Sequence, residues 1–122
     1  MPNNALFLKI DQRLDEGEML LEMSTWEDSG PVCGTTRCVA GWAIHETTGQ
    51  PLYVGGVLNP AMERLAEELG VNAGLGQIAM ELLGLEGAEQ ALFFTDNERA
   101  RDVVKLFAQN RDDEARRRLF ED

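Results

Sequence analysis

The chain has 122 residues, with 22 acidic and 11 basic side chains and a formal net charge of −11. This charge argues against nucleic acid and anionic membranes as partners, because phosphate recognition depends on lysine and arginine. A chain of this length forms one domain, residues 1–122, and can fold without a metal or a disulfide. It has no apolar run of about 20 residues for a membrane span. The start, Met1-Pro2-Asn3-Asn4, lacks the basic region of a secretory signal, so we expect a cytoplasmic protein.

The first predicted helix has one apolar stripe. Leu6, Ile10 and Leu14 recur every four residues, which is the period of a helix with one buried side. Asn3 or Asn4 can cap it, since a short amide side chain accepts a hydrogen bond from the first turn. We therefore expect a helix close to the N-terminus.

Three segments have no clear helical period. Residues 18–26 are either a short second helix or an extended run. Residues 27–32 contain Ser29-Gly30-Pro31 and are predicted to be a loop. Residues 50–58 are a short strand or a loop, and we favour the loop because a single strand has no obvious partner.

Residues 35–48 are predicted to form a central helix that the other elements cover. Between Ser29 and His45 the only charged side chain is Arg37, in a chain in which 27% of residues are charged. Such a composition is typical of a buried helix. No proline interrupts the segment, and Gly49 is a natural stop.

Gly41 and Trp42 are the predicted packing residues of this helix. A glycine in mid-helix costs about 1 kcal/mol relative to alanine. Close approach of another backbone explains why such a cost is accepted, and Trp42 then fills the space beside it. The stretch therefore has the features of a tightly packed core helix.

Cys33 and Cys38, the two cysteines of the chain, flank the predicted helix start. If Gly34 is the cap, they occupy the two positions that touch in a hydrophobic staple. Three interpretations remain open: a reduced apolar pair, a disulfide that closes a short loop, and a reactive or metal-binding thiol pair. His45 lies about 10 Å further along the helix, too far to share a metal with Cys38 or to act as its base. We therefore predict no metal and no cofactor, and we place His45 at the helix C-terminus.

The remaining chain is predicted to be helical over residues 59–69, 72–83 and 87–94, and from residue 95 onward. The expected apolar faces are Met62, Leu65, Ala66 and Leu69, then Ile78, Ala79, Leu82 and Leu83, and finally Ala100, Val103, Val104 and Phe107. The last helix either ends at Asn110 or runs on to Phe120. The prediction is an all-α bundle of five to seven short helices around the central one, with little or no sheet.

Arg116, Arg117 and Arg118 form a basic cluster at the end of the last helix. Cations at a helix C-terminus complement the helix dipole. The alternative is a small docking patch, completed by Phe120 and Leu119, which we expect to be exposed.

The acidity is unevenly distributed. Residues 1–94 carry 14 acidic and 4 basic side chains, whereas residues 95–122 carry 8 acidic and 7 basic ones. The acidic body of the domain either supports solubility, attracts a basic protein, or imitates nucleic acid.

The sequence contains no complete enzymatic or DNA-binding motif. Residues 65–71 resemble the first half of a helix-turn-helix, but Gly74 and Gly76 occupy the start of the would-be recognition helix. Residues 63–81 carry four glutamates against one arginine, the wrong sign for a DNA reader. Neither a phosphate loop, a Gly-x-Ser-x-Gly turn nor an EF-hand loop occurs.

Two motifs carry a resemblance. The pattern Met23-Ser24-x-Trp26 followed by Cys33-Gly34-Thr35-x-x-Cys38-x-Ala40-Gly41-Trp42-Ala43 resembles one in small uncharacterised proteins of actinobacteria and their bacteriophages. The resemblance covers about a third of the chain well, and it implies a source rather than an activity. In a phage protein of this kind, we expect a small acidic module that binds a host factor.

The sequence thus favours a non-enzymatic protein-binding module, phage-encoded and directed at a host or cellular protein through an acidic surface. The alternative is a thiol-dependent redox or catalytic protein that uses Cys33 and Cys38.

Overall fold

The structure, a computed structural model, describes residues 2–16, 21, 23, 28–30, 34–36, 38–50, 52–54, 57–71 and 74–121. Within them the chain is mostly helical, and the predicted all-α class with little sheet is confirmed. In chain order the elements are α1 (Asn4–Leu14), β1 (Asp28–Gly30), β2 (Gly34–Thr36), α2 (Val39–Thr48), β3 (Tyr53–Val54), β4 (Val57–Leu58), α3 (Ala61–Leu69), α4 (Leu75–Leu83), a 3₁₀ helix (Gly87–Phe94), α5 (Asn97–Ala108) and α6 (Asp112–Leu119).

The central helix, α2, begins at Val39 and not at about residue 35. Cys38 has an extended backbone, with φ −76° and ψ 175°, and is the N-cap residue. The residues expected to open the helix form β2 instead, which pairs antiparallel with β1 inside the predicted loop over 27–32. Backbone groups that bond across a ladder cannot also bond along a helix, so the helix starts only after the ladder ends. Its predicted end is correct, because Gly49 has a left-handed backbone with φ 66°.

Residues 50–58 contain a hairpin. The loop that we favoured for this segment is wrong, because the segment contains two short strands that pair with each other. The paired residues are Tyr53 with Leu58 and Val54 with Val57. In the sequence, two glycines stand between two short apolar runs, and this pattern is a hairpin signal. The ambiguous segment 18–26 lies outside the described residues, apart from Leu21 and Met23.

The later helix ends follow from single side chains. The Oδ1 atom of Asn59 accepts from the backbone N–H of Ala61 at 3.0 Å and supports the start of α3. Asp96 caps α5 by accepting from the N–H of Arg99 at 2.8 Å. Asn110 has φ 61°, a left-handed conformation that asparagine tolerates. The helix therefore ends there, and α6 is a separate helix.

The core is organised around α2, in which all six residues from 39 to 44 are buried. A large apolar cluster joins one part of α2 to α1, α4, the 3₁₀ helix, α5 and α6. A second cluster consists of Ile44, Leu52, Met62, Ala66, Leu75 and Ile78. Because α2 contributes to both, it links the two halves of the domain.

The helices follow a simple packing order. α1 packs against α5 and α2, α5 against α6, α2 against α4, and α4 against α3. Between α1 and α5 the rings of Phe7 and Phe107 stack with centroids 4.6 Å apart. α3 and α6 therefore lie at opposite ends of this order.

Two asparagines at the start of α1 bind the C-terminal ends of two other helices. Asn3 caps α1 through the N–H of Leu6, and its Nδ2 donates to the carbonyl of Leu82 in α4. Asn4 Nδ2 donates at 2.8 Å to the carbonyl of Phe107 and at 2.9 Å to Oδ1 of Asp112. Carbonyls near a helix end have fewer partners within the helix, so these side chains supply additional donors. The Phe107 carbonyl also accepts from the backbone N–H of Asn110 at 3.1 Å.

We expect Asn4→Ala to lower the free energy of unfolding by roughly 1–2 kcal/mol, because it removes one of two donors to the Phe107 carbonyl and the donor to the carboxylate of Asp112. Urea denaturation measures this change. Gln12→Ala, an exposed position of the same helix, is the control and is expected to change stability by less than about 0.5 kcal/mol. Equal effects of the two substitutions would contradict the bonding role of Asn4.

Candidate interaction surfaces

Cys38 acts as a helix cap. Its side chain is buried, and its Sγ accepts from the N–H of Gly41 at 3.5 Å. The thiol is free. Burial raises the pKa of the Cys38 thiol above its ordinary value of 9.0 and outweighs the lowering by nearby N–H groups. Cys38 is therefore neutral at physiological pH, whereas a reactive cysteine is a thiolate.

The predicted staple between the two cysteines is wrong in its geometry, because it requires a helix that begins near Gly34. Cys38 is the N-cap residue of α2, so it cannot also be the fourth residue of the helix, which is the position that the staple requires. Because the Cys38 thiol is free, the structure contains no disulfide at this position. Cys33 lies outside the described residues, so the interpretation as a reactive thiol pair stays a prediction.

His45 lies in the last turn of α2, as predicted. Its ring meets Trp42 edge to face, with centroids 5.9 Å apart. Gly41 and Trp42, the predicted packing residues, are both buried. Among the described residues, no three histidine, cysteine or acidic side chains group closely enough to hold a metal ion.

Most of the basic cluster on α6 is used inside the molecule. Arg116 Nε donates to Glu89 of the 3₁₀ helix at 2.8 Å, and Arg118 Nε donates to Asp102 of α5 at 3.1 Å. These hydrogen bonds raise the pKa of both arginines above the ordinary value. They hold α6 against the 3₁₀ helix and α5. Only part of the predicted docking patch is therefore available to a partner.

Arg117 and Phe120 remain exposed from that predicted patch, but Leu119 does not. The expectation that Leu119 is exposed is wrong, since it points into the large apolar cluster. Phe94 is exposed as well, although sequence reasoning overlooked it. The sequence feature that could have indicated this exposure is the apolar run Leu92-Phe93-Phe94. A short helix buries only one side, so one residue of such a run stays exposed.

A polar groove lies between α1 and the end of α2. It has a volume of about 410 Å³ and is lined by Lys9, Gln12, Arg13, Glu16 and Glu46. Arg13 binds Glu46 at 2.9 Å and also Glu16, so two carboxylates balance two cations. Its described lining contains no histidine, cysteine, serine or threonine.

α3 and α4 together carry four exposed glutamates. We call these residues, Glu63, Glu67, Glu68 and Glu81, the α3–α4 acidic surface. All four side chains are exposed, and Arg64 is the one basic residue on the two helices. Within the described part of the chain, none of the ion pairs involves α3 or α4. The predicted acidity therefore appears here as uncompensated charge.

Comparison of the chain with known protein families, curated proteins and solved structures gives no match. The resemblance to actinobacterial and bacteriophage proteins thus stays a prediction. In the part of the chain that the structure describes, no helix is long and apolar enough to cross a membrane.

The cap role of Cys38 predicts the ranking of two substitutions. Cys38→Ser keeps an acceptor for the N–H of Gly41, whereas Cys38→Ala removes it. We expect the alanine variant to be less stable than the serine variant by about 1 kcal/mol. Urea denaturation of both in a Cys33→Ser background gives the comparison. A purely apolar role would reverse the order, because burying a hydroxyl without a partner is unfavourable.

The raised pKa of Cys38 also predicts a dependence of stability on pH. Above pH 9 the unfolded chain loses its thiol proton while the folded chain keeps it. The contribution of this thiol is therefore constant below about pH 9 and is lost as the pH rises through the folded-state value. We expect the free energy of unfolding to fall more steeply above about pH 9 in Cys33→Ser than in Cys33→Ser/Cys38→Ser. Parallel curves would show that the Cys38 thiol titrates alike in both states.

Proposed function

We propose that the chain is a non-enzymatic cytoplasmic module that binds a bacterial host protein through the α3–α4 acidic surface. The observation that carries the proposal is the lack of any ionic partner for these carboxylates within the described residues. The proposed phage origin rests on the resemblance of the cysteine–tryptophan motif alone.

Several carboxylates elsewhere in the fold are paired with arginines. Asp11 and Asp15 bind Arg101, Glu46 binds Arg13, and Glu89 binds Arg116. On α3, by contrast, Glu63 and Glu67 are one turn apart, and like charges at this spacing destabilise a helix by a few tenths of a kcal/mol. An uncompensated cluster that opposes folding is typical of a surface whose complement lies on another molecule.

Exposed apolar residues lie close to this surface in the chain. The β3–β4 hairpin leads directly into α3, and its Val57 is 68% exposed and its Tyr53 37% exposed. A protein interface combines such apolar contacts with a charged rim. The hairpin and α3 together offer both.

The charge density favours a basic protein surface over imitation of a nucleic acid duplex. The nine residues of α3 extend about 14 Å and carry three glutamates and one arginine. A DNA duplex carries about eight phosphates over the same length. The surface therefore suits a local basic patch on a protein.

A thiol-dependent activity finds little support in the described residues. Cys38 is buried, caps a helix and has a raised pKa. A catalytic thiol needs the opposite environment, exposed and electropositive. We therefore keep the binding proposal as the single candidate.

Quantitative pull-downs from a nuclease-treated actinobacterial lysate test the proposal. We expect the wild type to retain a protein at low salt and to lose it as salt screens the charges. The triple variant Glu63→Gln/Glu67→Gln/Glu68→Gln should retain it about tenfold more weakly, from roughly 0.5 kcal/mol for each charge. Its free energy of unfolding should stay within about 1 kcal/mol of the wild type, because the relief of repulsion between Glu63 and Glu67 offsets the loss of a favourable carboxylate in the first turn of α3.

Glu16→Gln/Asp113→Asn/Glu114→Gln is the matched control. It changes net charge equally, but its carboxylates lie on α6 and just after α1, beside arginines that they pair with. We expect it to bind within about threefold of the wild type. Equal losses in the two triple variants would show a response to total charge and would contradict a specific acidic surface.

A further inference from the structure

A second hollow lies next to the polar groove between α1 and the end of α2. It has a volume of about 310 Å³, and its lining includes Leu6 and Lys9 of α1, Glu46 and Thr47 of α2, and Leu82 of α4. Lys9 and Glu46 also line the groove of about 410 Å³. The two cavities therefore meet at these two side chains, and we call the smaller one the α1–α2–α4 hollow.

Contacts within the fold hold the walls of this hollow in place. α1 packs against both α2 and α4. Asn3, which also lines the hollow, donates from Nδ2 to the carbonyl of Leu82 at 3.0 Å. Arg13 Nε donates to Oε1 of Glu46 at 2.9 Å, and the Glu46 side chain is only 11% exposed. A site that is already ordered before binding loses less entropy when a ligand enters.

Lys9 and Glu46 bring opposite charges to the hollow without forming an ion pair with each other. Glu46 is bound by Arg13 through Oε1. Lys9 is exposed, and none of the ion pairs among the residues that the structure describes involves it. A carboxylate has two oxygens and accepts several hydrogen bonds, so Glu46 can bind a second cation. The hollow therefore offers one cation and one carboxylate to a ligand.

The rest of the lining is partly apolar. Leu6 is 6% exposed, and Leu82 is half-buried. Ligand sites commonly combine apolar side chains with a few polar groups that fix the orientation of the ligand. A volume of about 310 Å³ is at the lower end of the range for such sites, roughly 300–1,000 Å³. The hollow therefore suits a small molecule better than a segment of another protein.

We propose that the α1–α2–α4 hollow binds a small zwitterion with an apolar side chain, of the chemical class of the free apolar α-amino acids. The ligand carboxylate binds Lys9, its ammonium group binds the second carboxylate oxygen of Glu46, and its side chain lies against Leu6 and Leu82. A zwitterion complements both charges of the hollow, whereas a singly charged ligand leaves one of them without a partner. The inference is independent of the proposed function, because no residue of the α3–α4 acidic surface lines the hollow.

Titrations with leucine and two of its derivatives test which charges the ligand needs. Amide chemical shifts of the full chain in two-dimensional NMR spectra report binding at neutral pH and constant ionic strength. We expect saturating shifts in α1 and the last turn of α2, with a dissociation constant of about 1 mM, because so small a ligand makes few contacts. N-acetyl-leucine lacks the ammonium group and leucine amide lacks the carboxylate, and each should bind at least about threefold more weakly.

Substitution of Glu46 tests the acidic side of the hollow. Glu46→Gln removes the charge and keeps an acceptor for Arg13, and we expect it to weaken leucine binding about tenfold. Glu89→Gln is the matched control, because the Glu89 side chain is 13% exposed and binds Arg116 at 2.8 Å but does not line the hollow. This control should bind leucine as tightly as the wild type.

Substitution of Lys9 tests the basic side. Lys9 is exposed, so Lys9→Gln is expected to fold normally and to weaken leucine binding about threefold. Lys105→Gln is its control, since Lys105 is an exposed lysine of α5 outside the hollow. The same NMR spectra show whether each variant is folded.

Three results would overturn the proposal. The first is a wild type that shows no saturating shift with leucine up to about 50 mM. The second is a leucine affinity that neither Glu46→Gln nor Lys9→Gln changes, which would place the binding elsewhere. The third is a derivative that binds as tightly as leucine, which would show that one end of the zwitterion is not recognised.

Discussion

α2 has to be covered on every side, because its residues from 39 to 44 offer no polar face to water. A helix at the surface of a protein exposes one side to water, and neighbouring elements pack only against its other side. Here α1 and α4 pack directly on α2, and α5, α6 and the 3₁₀ helix complete the large cluster around it. The start of a buried helix also lacks water for its free N–H groups, so the chain supplies an acceptor in Cys38.

Because the central helix and the elements around it fill the interior, the charged side chains lie on the outside. They form two kinds of surface. Around α1, α5 and α6 many carboxylates pair with arginines, and the bonds of Arg101, Arg116 and Arg118 each join two different helices. On α3 and α4 no arginine other than Arg64 is present, and the carboxylates stay without partners within the described residues. One end of the packing order is thus acidic and the other nearly balanced. Surface charge of this kind contributes little to stability, but it decides which surfaces attract or repel each other.

The difference between paired and unpaired surface charges also bears on the function of the protein. A catalytic site needs polar groups that converge in a sheltered pocket with shifted pKa values. The groove at Lys9 and Glu46 is open and charge-balanced, and the buried thiol of Cys38 has a pKa shifted away from reactivity. Among the described residues the distinctive features lie on the outside instead, as carboxylates without ion-pair partners and as exposed aromatic side chains. These features motivate the proposal that the molecule acts through contact with another protein.

The sequence by itself determined the helical class, the central buried helix, its end at Gly49 and the acidity of the body, since these depend on local periodicity, composition and glycine conformation. It also located the helices that follow Asn59 and Asp96, where single side chains cap a first turn. Only the tertiary structure decided that α2 starts at Val39, because a ladder between β1 and β2 takes the backbone of residues 34–36. It likewise decided which charges are neutralised and which rings stay exposed: Arg116 and Arg118 find carboxylates on other helices, and Leu119 is buried while Phe120 is not. Those outcomes depend on contacts between residues far apart in the chain, which a local pattern does not contain.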